Sequence, residues 1–345
     1  MAEDAAAWQA PGRWRSSSIR AAAHPYDTLG REVNANREAQ LGNSAMANSV
    51  TLVEVGPRDG LQSEPKIMPT AEKVEFIRRS VDAGITRIEV VSFVNPKRVP
   101  QMADAEEVLA RLPRDGRASY IGLILNMKGY ERARAAKVDE VGYAVVATDT
   151  FAQKNQGMTS AETVAAWQEV GALAKKDGVK SSVIIGGAFG CPFEGEVPPE
   201  RIVDIAHRCA EVSPAEICLA DTIGCADPRR VTDLIQRVKA AFPAMPIRVH
   251  LHNTRNTGLA NAYAAVEAGA QFLDASTGGI GGCPFAPRAT GNIPLEDLLY
   301  MLNRMGVSTG VDLDKVIATA QWVEDRLGKP LPAMLGKAGV FPNAS

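Results

Sequence analysis

Two histidines, His250 and His252, stand one residue apart at the end of the apolar run "IRVHLH", in a chain that has only four. Side chains at i and i+2 on a strand share a face, so both imidazoles point the same way at a separation of about 7 Å. Such a pair is either a hydrogen-bonded core couple or two ligands to one metal ion. Two more residues of ligating type fall after other apolar runs: Asp59 in "VGPRDGLQ" and Asn292 in "PRATGN". An aspartate, two histidines and an amide oxygen form a mixed N/O donor set with positions left for substrate. That set suits Mg²⁺, Mn²⁺ or a similar divalent cation better than a closed structural zinc, and a cation with open positions does Lewis-acid chemistry.

The other polar residues at the ends of apolar runs are Arg58, Gln62, Glu89 in "RIEVVS", Asn126, and Asp221 in "ADTIG". Glu89 and Asp221 could pair with Arg58 or cap loops, and a pairing would also orient the arginine. Cys283 sits in the glycine-flanked stretch "GGIGGCPFAPRATGN", where a thiol on a mobile segment can enter a closed site and move a proton. Cys191 in "FGCPFEG" has a similar local setting but no ligating residue after it, and it is given no chemistry; Cys209 and Cys218 read as small buried hydrophobes.

These residues need a frame that gathers strand ends. "TLVEV" (51 to 55) is followed by "TAEKVEFIRRSVDAG", whose Val74, Ile77 and Val81 recur at helical spacing between a Thr70 cap and a closing Gly84. The alternation repeats through "RIEVV", "SYIGLIL", "EVGYAVV", "SSVIIGG", "EICLA", "IRVHLH" and "QFLDAS", which makes eight strands, with helical stripes such as "PPERIVDIAHRCAEV" and "PRRVTDLIQRVKAAF" between them. The strands are apolar runs rather than strict alternations, as expected of parallel strands covered on both faces. The expected fold is therefore an α/β TIM (β/α)8 barrel over 49–328, with the reactive residues at the carboxyl ends of its strands. A doubly wound open sheet is the competing architecture, but no GxGxxG follows the first strand. Residues 1–48 read as a loosely ordered arm, "DLDKVIATAQWVEDRLG" as an extra helix packed on the barrel, and 329–345 as a loop-like tail.

Composition narrows the function classes. With 38 basic and 40 acidic residues in 345, the chain shows no electrostatic footprint for nucleic acid or an anionic membrane. No apolar run approaches the roughly 20 residues of a membrane-spanning helix. Five cysteines without CxxC spacing and no signal-peptide pattern point to a reducing compartment. The arm's arginines are offset by Glu3, Asp4, Asp27, Glu32 and Glu38, which transit peptides avoid, so the expected location is cytoplasmic rather than the mitochondrial matrix. Apolar residues on the last helices make a homodimer the expected assembly.

Taken together, "VGPRDGLQ", "FVNPKRVPQM", "GCPFEG", "DTIG", "HLHNT" and "GGCPFAPRATGN" resemble the 3-hydroxy-3-methylglutaryl-CoA lyase family of metal-dependent TIM-barrel lyases and aldolases, over about residues 50–327. The resemblance implies that Asp59, His250, His252 and Asn292 bind the divalent cation. It implies that Arg58 stabilises the enolate of the departing acetyl-CoA, that Cys283 transfers a proton, and that His250 doubles as an acid/base group. Glu89 and Asp221 match buried acids that support the arginine and the proton relay; Gln62, Asn126 and Glu296 match polar positions beside the substrate. The implied reaction is metal-dependent retro-Claisen cleavage of 3-hydroxy-3-methylglutaryl-CoA, with citramalyl-CoA as an alternative acyl-CoA and an isopropylmalate-synthase-like condensation as a more distant one.

Two departures stand out. Where the family often reads HxHDTYG, this chain has "HLHNTRN", with Asn253, Arg255 and Asn256 in place of an acid, an aromatic residue and a glycine. A guanidinium gained beside a lost carboxylate is expected to make the pocket more positive and to alter acyl preference. Pro65 stands where the family often has a lysine, and Lys66 follows it.

Overall fold

The computed structural model describes residues 49–282 and 291–341; the N-terminal arm and Cys283 lie outside the described residues. Eight parallel strands, β1 (Thr51–Glu54), β2 (Arg87–Ser92), β3 (Ser119–Ile124), β4 (Glu140–Val146), β5 (Lys180–Gly186), β6 (Ile217–Asp221), β7 (Ile247–Leu251) and β8 (Phe272–Ala275), pair in sequence order and close when β8 pairs with β1. The architecture is the expected TIM barrel, and each strand ends within a residue or two of the boundary read from sequence. The surrounding helices are α1 (Thr70–Asp82), α2 (Ala105–Arg111), α3 (Met127–Ala135), α4 (Asp149–Gln156), α5 (Ser160–Asp177), α6 (Pro199–Ala210), α7 (Pro228–Ala241), α8 (Gly258–Glu267), α9 (Leu295–Met305), α10 (Leu313–Leu327) and the short α11 (Leu335–Ala338). No helix among the described residues is long and apolar enough to cross a membrane.

Pleating divides each strand between two environments. Outward residues such as Leu52, Ile88 and Val90 join the large apolar shell against the helices, which includes Ile77 and Val81 of α1 and Trp167 of α5. Inward residues follow the opposite parity. Near the amino ends they are charged: Arg87, Glu140, Glu216 and Arg248 are all buried, with Arg87 bonded to Glu140 at 2.6 Å and to Glu216 at 2.8 Å, and Arg248 Nε 3.0 Å from Glu216. Removing one partner would strand a buried charge, at a cost of about 3–5 kcal/mol. This layer fixes the barrel floor beneath the ligating residues.

Two local expectations are corrected. Thr70 is the first residue of α1 rather than its cap; Pro69 occupies the cap position, and the Thr70 hydroxyl donates to Asp104 at 2.7 Å instead. The segment after α10 is not a loose loop: Leu331, Ala333 and Leu335 are buried, and Ala333 donates its backbone N–H to Gly278 O at 3.2 Å. Leu331 lies so close over Gly278 (φ +71°) that a β-carbon there would collide with it. The C-terminal segment thus braces the loop that follows β8.

Candidate active site

The strand ends open into a cavity of about 440 Å³ lined by Arg58, Asp59, Gln62, Glu89, Asn126, His250, His252 and Asp274, with apolar walls from Leu123, Val146 and Ile184. Asp59 arrives on a tight π-helical turn, Gly56–Gly60, directly after β1. A β-carbon on Gly60 would strike the Ile280 side chain, so only glycine lets this turn sit so close to the β8 loop. His250 lies on β7, and His252 just beyond it makes a bridge to Asn292.

These four residues converge. The Nε2 atoms of His250 and His252 are 3.0 Å apart, and Asp59 Oδ2 lies 4.0 and 3.7 Å from them respectively. Among the described residues, these three form the cluster of acidic, histidine and cysteine side chains whose ligand atoms are close enough to share an ion. Asn292 Nδ2 donates to Asp59 Oδ2 at 2.8 Å and to Ile280 O at 3.1 Å, while its Oδ1 is buried with no hydrogen-bond partner. Two facing ring nitrogens, an adjacent carboxylate and an orphaned amide oxygen, all buried, are the donor set a hard divalent cation would satisfy.

Electrostatics at this end favour an anionic Asp59 and a cationic Arg58. Burial opposes ionisation of Asp59, but the Arg58 guanidinium and then the two histidines outweigh it and hold the carboxyl well below the usual range. Arg58 Nη1 bonds Asp59 at 2.7 Å, and its Nε donates to Glu89. Burial would lower the Arg58 pKa, yet Glu89 and Asp59 raise it. Arg58 is therefore clamped between two carboxylates, facing the cavity beside the cluster.

The remaining expected residues divide. Gln62 and Asn126 line the cavity, and Asn126 also caps α3 by accepting from Gly129 N at 2.9 Å. Asp221 does not join the cavity lining; its carboxylate accepts from Cys225 N at 2.9 Å and Ala226 N at 3.0 Å and so ties the β6 loop. Glu296 is buried behind the β8 loop, where it accepts from Gly278 N at 2.9 Å.

Within "NTRN", Arg255 is not placed where a more positive pocket requires it. Arg255 does not face the cavity: its Nη1 donates to the carbonyls of Ile223 and Gly224 at 2.8 and 2.9 Å, which close the β6 loop. Asn253 accepts from Gly258 N at 3.0 Å, and Asn256 takes a left-handed φ of +57° that asparagine tolerates where a glycine would be usual. These residues tie loops together and do not line the cavity. Arg255→Ala is expected to cost about 1–3 kcal/mol in a thermal melt while leaving KM for the acyl-CoA within a few-fold. Lys66 is likewise turned away, its ammonium on Arg326 O. Among the described residues, the lysine and arginine side chains at the cavity are Arg58 and, towards its rim, Arg98 and Lys154.

Sequence reading missed three site residues. Asp274 Oδ2 on β8 pairs with His250 Nδ1 at 3.1 Å, and Arg248 Nη1 lies 3.7 Å from Asp274 Oδ1. The signal for Arg248 was present, since Arg248, His250 and His252 share one strand face. Glu54 accepts from Gly56 N at 2.6 Å and from Thr277 N at 3.1 Å, and so joins the Asp59 turn to the β8 loop.

Burial pushes Glu54 up to about 7, partly offset by Thr277 and Gly56, and burial pushes Glu296 up to about 7 as well. Both raised values mean that the fold binds protons the unfolded chain has released. Their stabilising contribution is full below the ordinary carboxylate range and is lost as pH rises through about 7. Glu296→Gln should flatten the fall in melting temperature between about pH 5 and pH 8 relative to wild type.

A family model described as HMGL-like matches residues 49–323, which include Asp59, His250, His252 and Asn292. The chain belongs to the HMGL-like family. Its enzyme class is carbon–carbon lyase. The (R)-citramalyl-CoA lyase of Chloroflexus aurantiacus is 45% identical, over 85% of this chain and 96% of the relative. Hydroxymethylglutaryl-CoA lyase YngG of Bacillus subtilis is 38% identical, over 82% of this chain and 95% of the relative. A solved HMG-CoA lyase from Acinetobacter baumannii, in complex with coenzyme A and 3-methylmalate, superposes with a TM-score of 0.82 at 38% identity, covering 86% of this chain and 96% of that one.

Proposed function

We propose that this HMGL-like lyase cleaves the C2–C3 bond of a 3-hydroxy-3-methyl dicarboxylic acyl-CoA to acetyl-CoA and a keto acid. The observation that supports it most is the convergence of Asp59, His250 and His252, with the Asn292 amide bonded to Asp59, beside a doubly clamped Arg58 in the cavity at the strand ends. Those four residues would hold a divalent cation, Mg²⁺ or Mn²⁺, which would supply Lewis-acid charge to polarise the tertiary hydroxyl and attract the distal carboxylate.

The chain's own groups supply the rest. His250, whose Nδ1 is engaged with Asp274, takes the hydroxyl proton on Nε2 when that atom is not ligating; the C3–O bond becomes a carbonyl as the C2–C3 pair moves into the thioester, forming an enolate. Arg58, fixed by Glu89 and Asp59, faces that developing charge with no need to reorganise. Cys283, from the loop after β8, returns a proton to C2 and completes acetyl-CoA. Leu123, Val146 and Ile184 keep the acyl pocket apolar. Gln62 and Asn126 are polar contacts for substrate.

Two substrates differ by one methylene on the distal arm. 3-Hydroxy-3-methylglutaryl-CoA, the reading of the motifs, gives acetoacetate. Citramalyl-CoA, favoured by the 45% identity to a citramalyl-CoA lyase across nearly all of that relative, gives pyruvate. A spectrophotometric assay of acetyl-CoA release against both thioesters, with Mg²⁺ or Mn²⁺ present, tests the reading. Turnover of either, with equimolar keto acid, is the expected result. Failure with both would overturn the reading.

A further inference from the structure

We propose that Asp274 is a positioning residue that sets the tautomer of His250 and so turns its Nε2 lone pair toward Asp59 and His252. The inference deepens the metal-lyase reading, and it rests on that reading only for its functional consequence.

A His250 ring has two nitrogens with opposite duties. Nε2 faces the cluster, 3.0 Å from His252 Nε2 and 4.0 Å from Asp59 Oδ2, and can bind a cation or accept a proton only if it carries no hydrogen. Nδ1 faces away from the cluster, 3.1 Å from Asp274 Oδ2. An ionised carboxylate is an acceptor only, so this contact requires the proton on Nδ1 and leaves Nε2 bare. Asp274 is 3% exposed, and its other oxygen lies 3.7 Å from the fully buried Arg248 guanidinium, which also has donors only. Arg248 is in turn held 3.0 Å from Glu216, which bonds Arg87. An alternating series of buried charges thus runs up the barrel interior and ends on His250. Its register is set by pairing, since Arg248 lies opposite Phe272 and His250 opposite Asp274 across β7 and β8.

The arrangement predicts an unusual order of severity. In Asp274→Asn, the Arg248 charge, 3.7 Å from Oδ1 in the wild-type pair, favours the amide oxygen on its side, so the NH₂ faces His250 Nδ1. The ring then answers by moving its proton to Nε2, where a hydrogen points at the cluster. In Asp274→Ala neither tautomer is enforced. A residue that served only as a counter-ion to Arg248 would give the opposite order, with the isosteric asparagine milder than alanine.

The test is ¹⁵N-histidine NMR of the metal-free protein at alkaline pH, alongside Mn²⁺ titration calorimetry. With four histidines in the chain, single His→Gln variants assign the spectrum. The expected result is a neutral His250 protonated on Nδ1 in wild type and on Nε2 in Asp274→Asn, with Mn²⁺ affinity down about 10–100-fold in the asparagine variant and less in the alanine variant. Protonation of wild-type His250 on Nε2, which needs no variant to fold, would overturn the assignment, as would an Asp274→Asn protein with wild-type tautomer and affinity. Wild-type protein with the Nδ1–H ring but no Mn²⁺ binding would instead sink the metal reading while leaving the assignment intact.

Discussion

Replacing His252 by alanine is expected to abolish both divalent-metal binding and acetyl-CoA release. His252 is 2% exposed, and its Nε2 stands 3.0 Å from His250 Nε2 and 3.7 Å from Asp59. Removing it takes one of the four proposed donors, and among the described residues no further acidic, histidine or cysteine side chain joins the cluster. The expected loss in metal affinity exceeds the 10–100-fold typical of outer-shell changes, because a direct ligand is lost. Activity falls with it, by at least about 10³-fold, since both the polarising charge and the anchoring of substrate depend on the same ion. Calorimetry with Mn²⁺ and the acetyl-CoA assay read the two effects separately. A circular-dichroism melt guards against misfolding, and the expected melt is close to that of wild type in the absence of metal.

The second large effect is at Arg58. Arg58→Lys keeps the charge but loses the fork that reaches Glu89 and Asp59 at once. A lysine ammonium paired to one carboxylate no longer faces the developing enolate in a fixed position. The expected outcome is a fall in kcat of about 10²–10³-fold, the scale of losing a preorganised oxyanion donor. KM for the thioester should change far less, because the interaction is realised in the transition state. Mn²⁺ affinity should weaken modestly, as Asp59 loses a partner that keeps it ionised. A large rise in KM with unchanged kcat would instead make Arg58 a ground-state binding residue.

Much of the site could be read from residue order alone. Strand periodicity placed His250 and His252 on one face, and the rule that barrels gather function at carboxyl strand ends put Asp59 and Asn292 with them. What could not be read was what lies across the barrel. Asp274 sits in an ordinary-looking apolar run, and only the pairing of β8 with β7 brings it against His250. Arg255 shows the reverse failure. Adjacent in sequence to the ligands, it was expected to charge the pocket, but the carbonyls of Ile223 and Gly224 offered it a closer partner. Lys66 was drawn off in the same way by Arg326 O. Loop side chains follow the nearest unsatisfied backbone acceptor, and sequence neighbourhood does not reveal where that acceptor is.

The C-terminal segment illustrates the same limit in packing. A Pro- and Gly-containing stretch gives no periodic signal, yet Leu331 is buried over Gly278 at the base of the loop that leads toward Asn292. Its burial contributes about 1.5–3 kcal/mol, delivered to the loop on which the site depends.

The proposed lyase chemistry needs a cation held by Asp59, His250, His252 and Asn292. It is tested most directly by stripping the wild-type protein with chelator, restoring Mg²⁺ or Mn²⁺, and following acetyl-CoA release from 3-hydroxy-3-methylglutaryl-CoA and citramalyl-CoA. Cleavage of at least one thioester that vanishes on chelation and returns with about one metal equivalent per chain is the predicted result. Undiminished cleavage by the stripped protein, or none with metal restored, would contradict it.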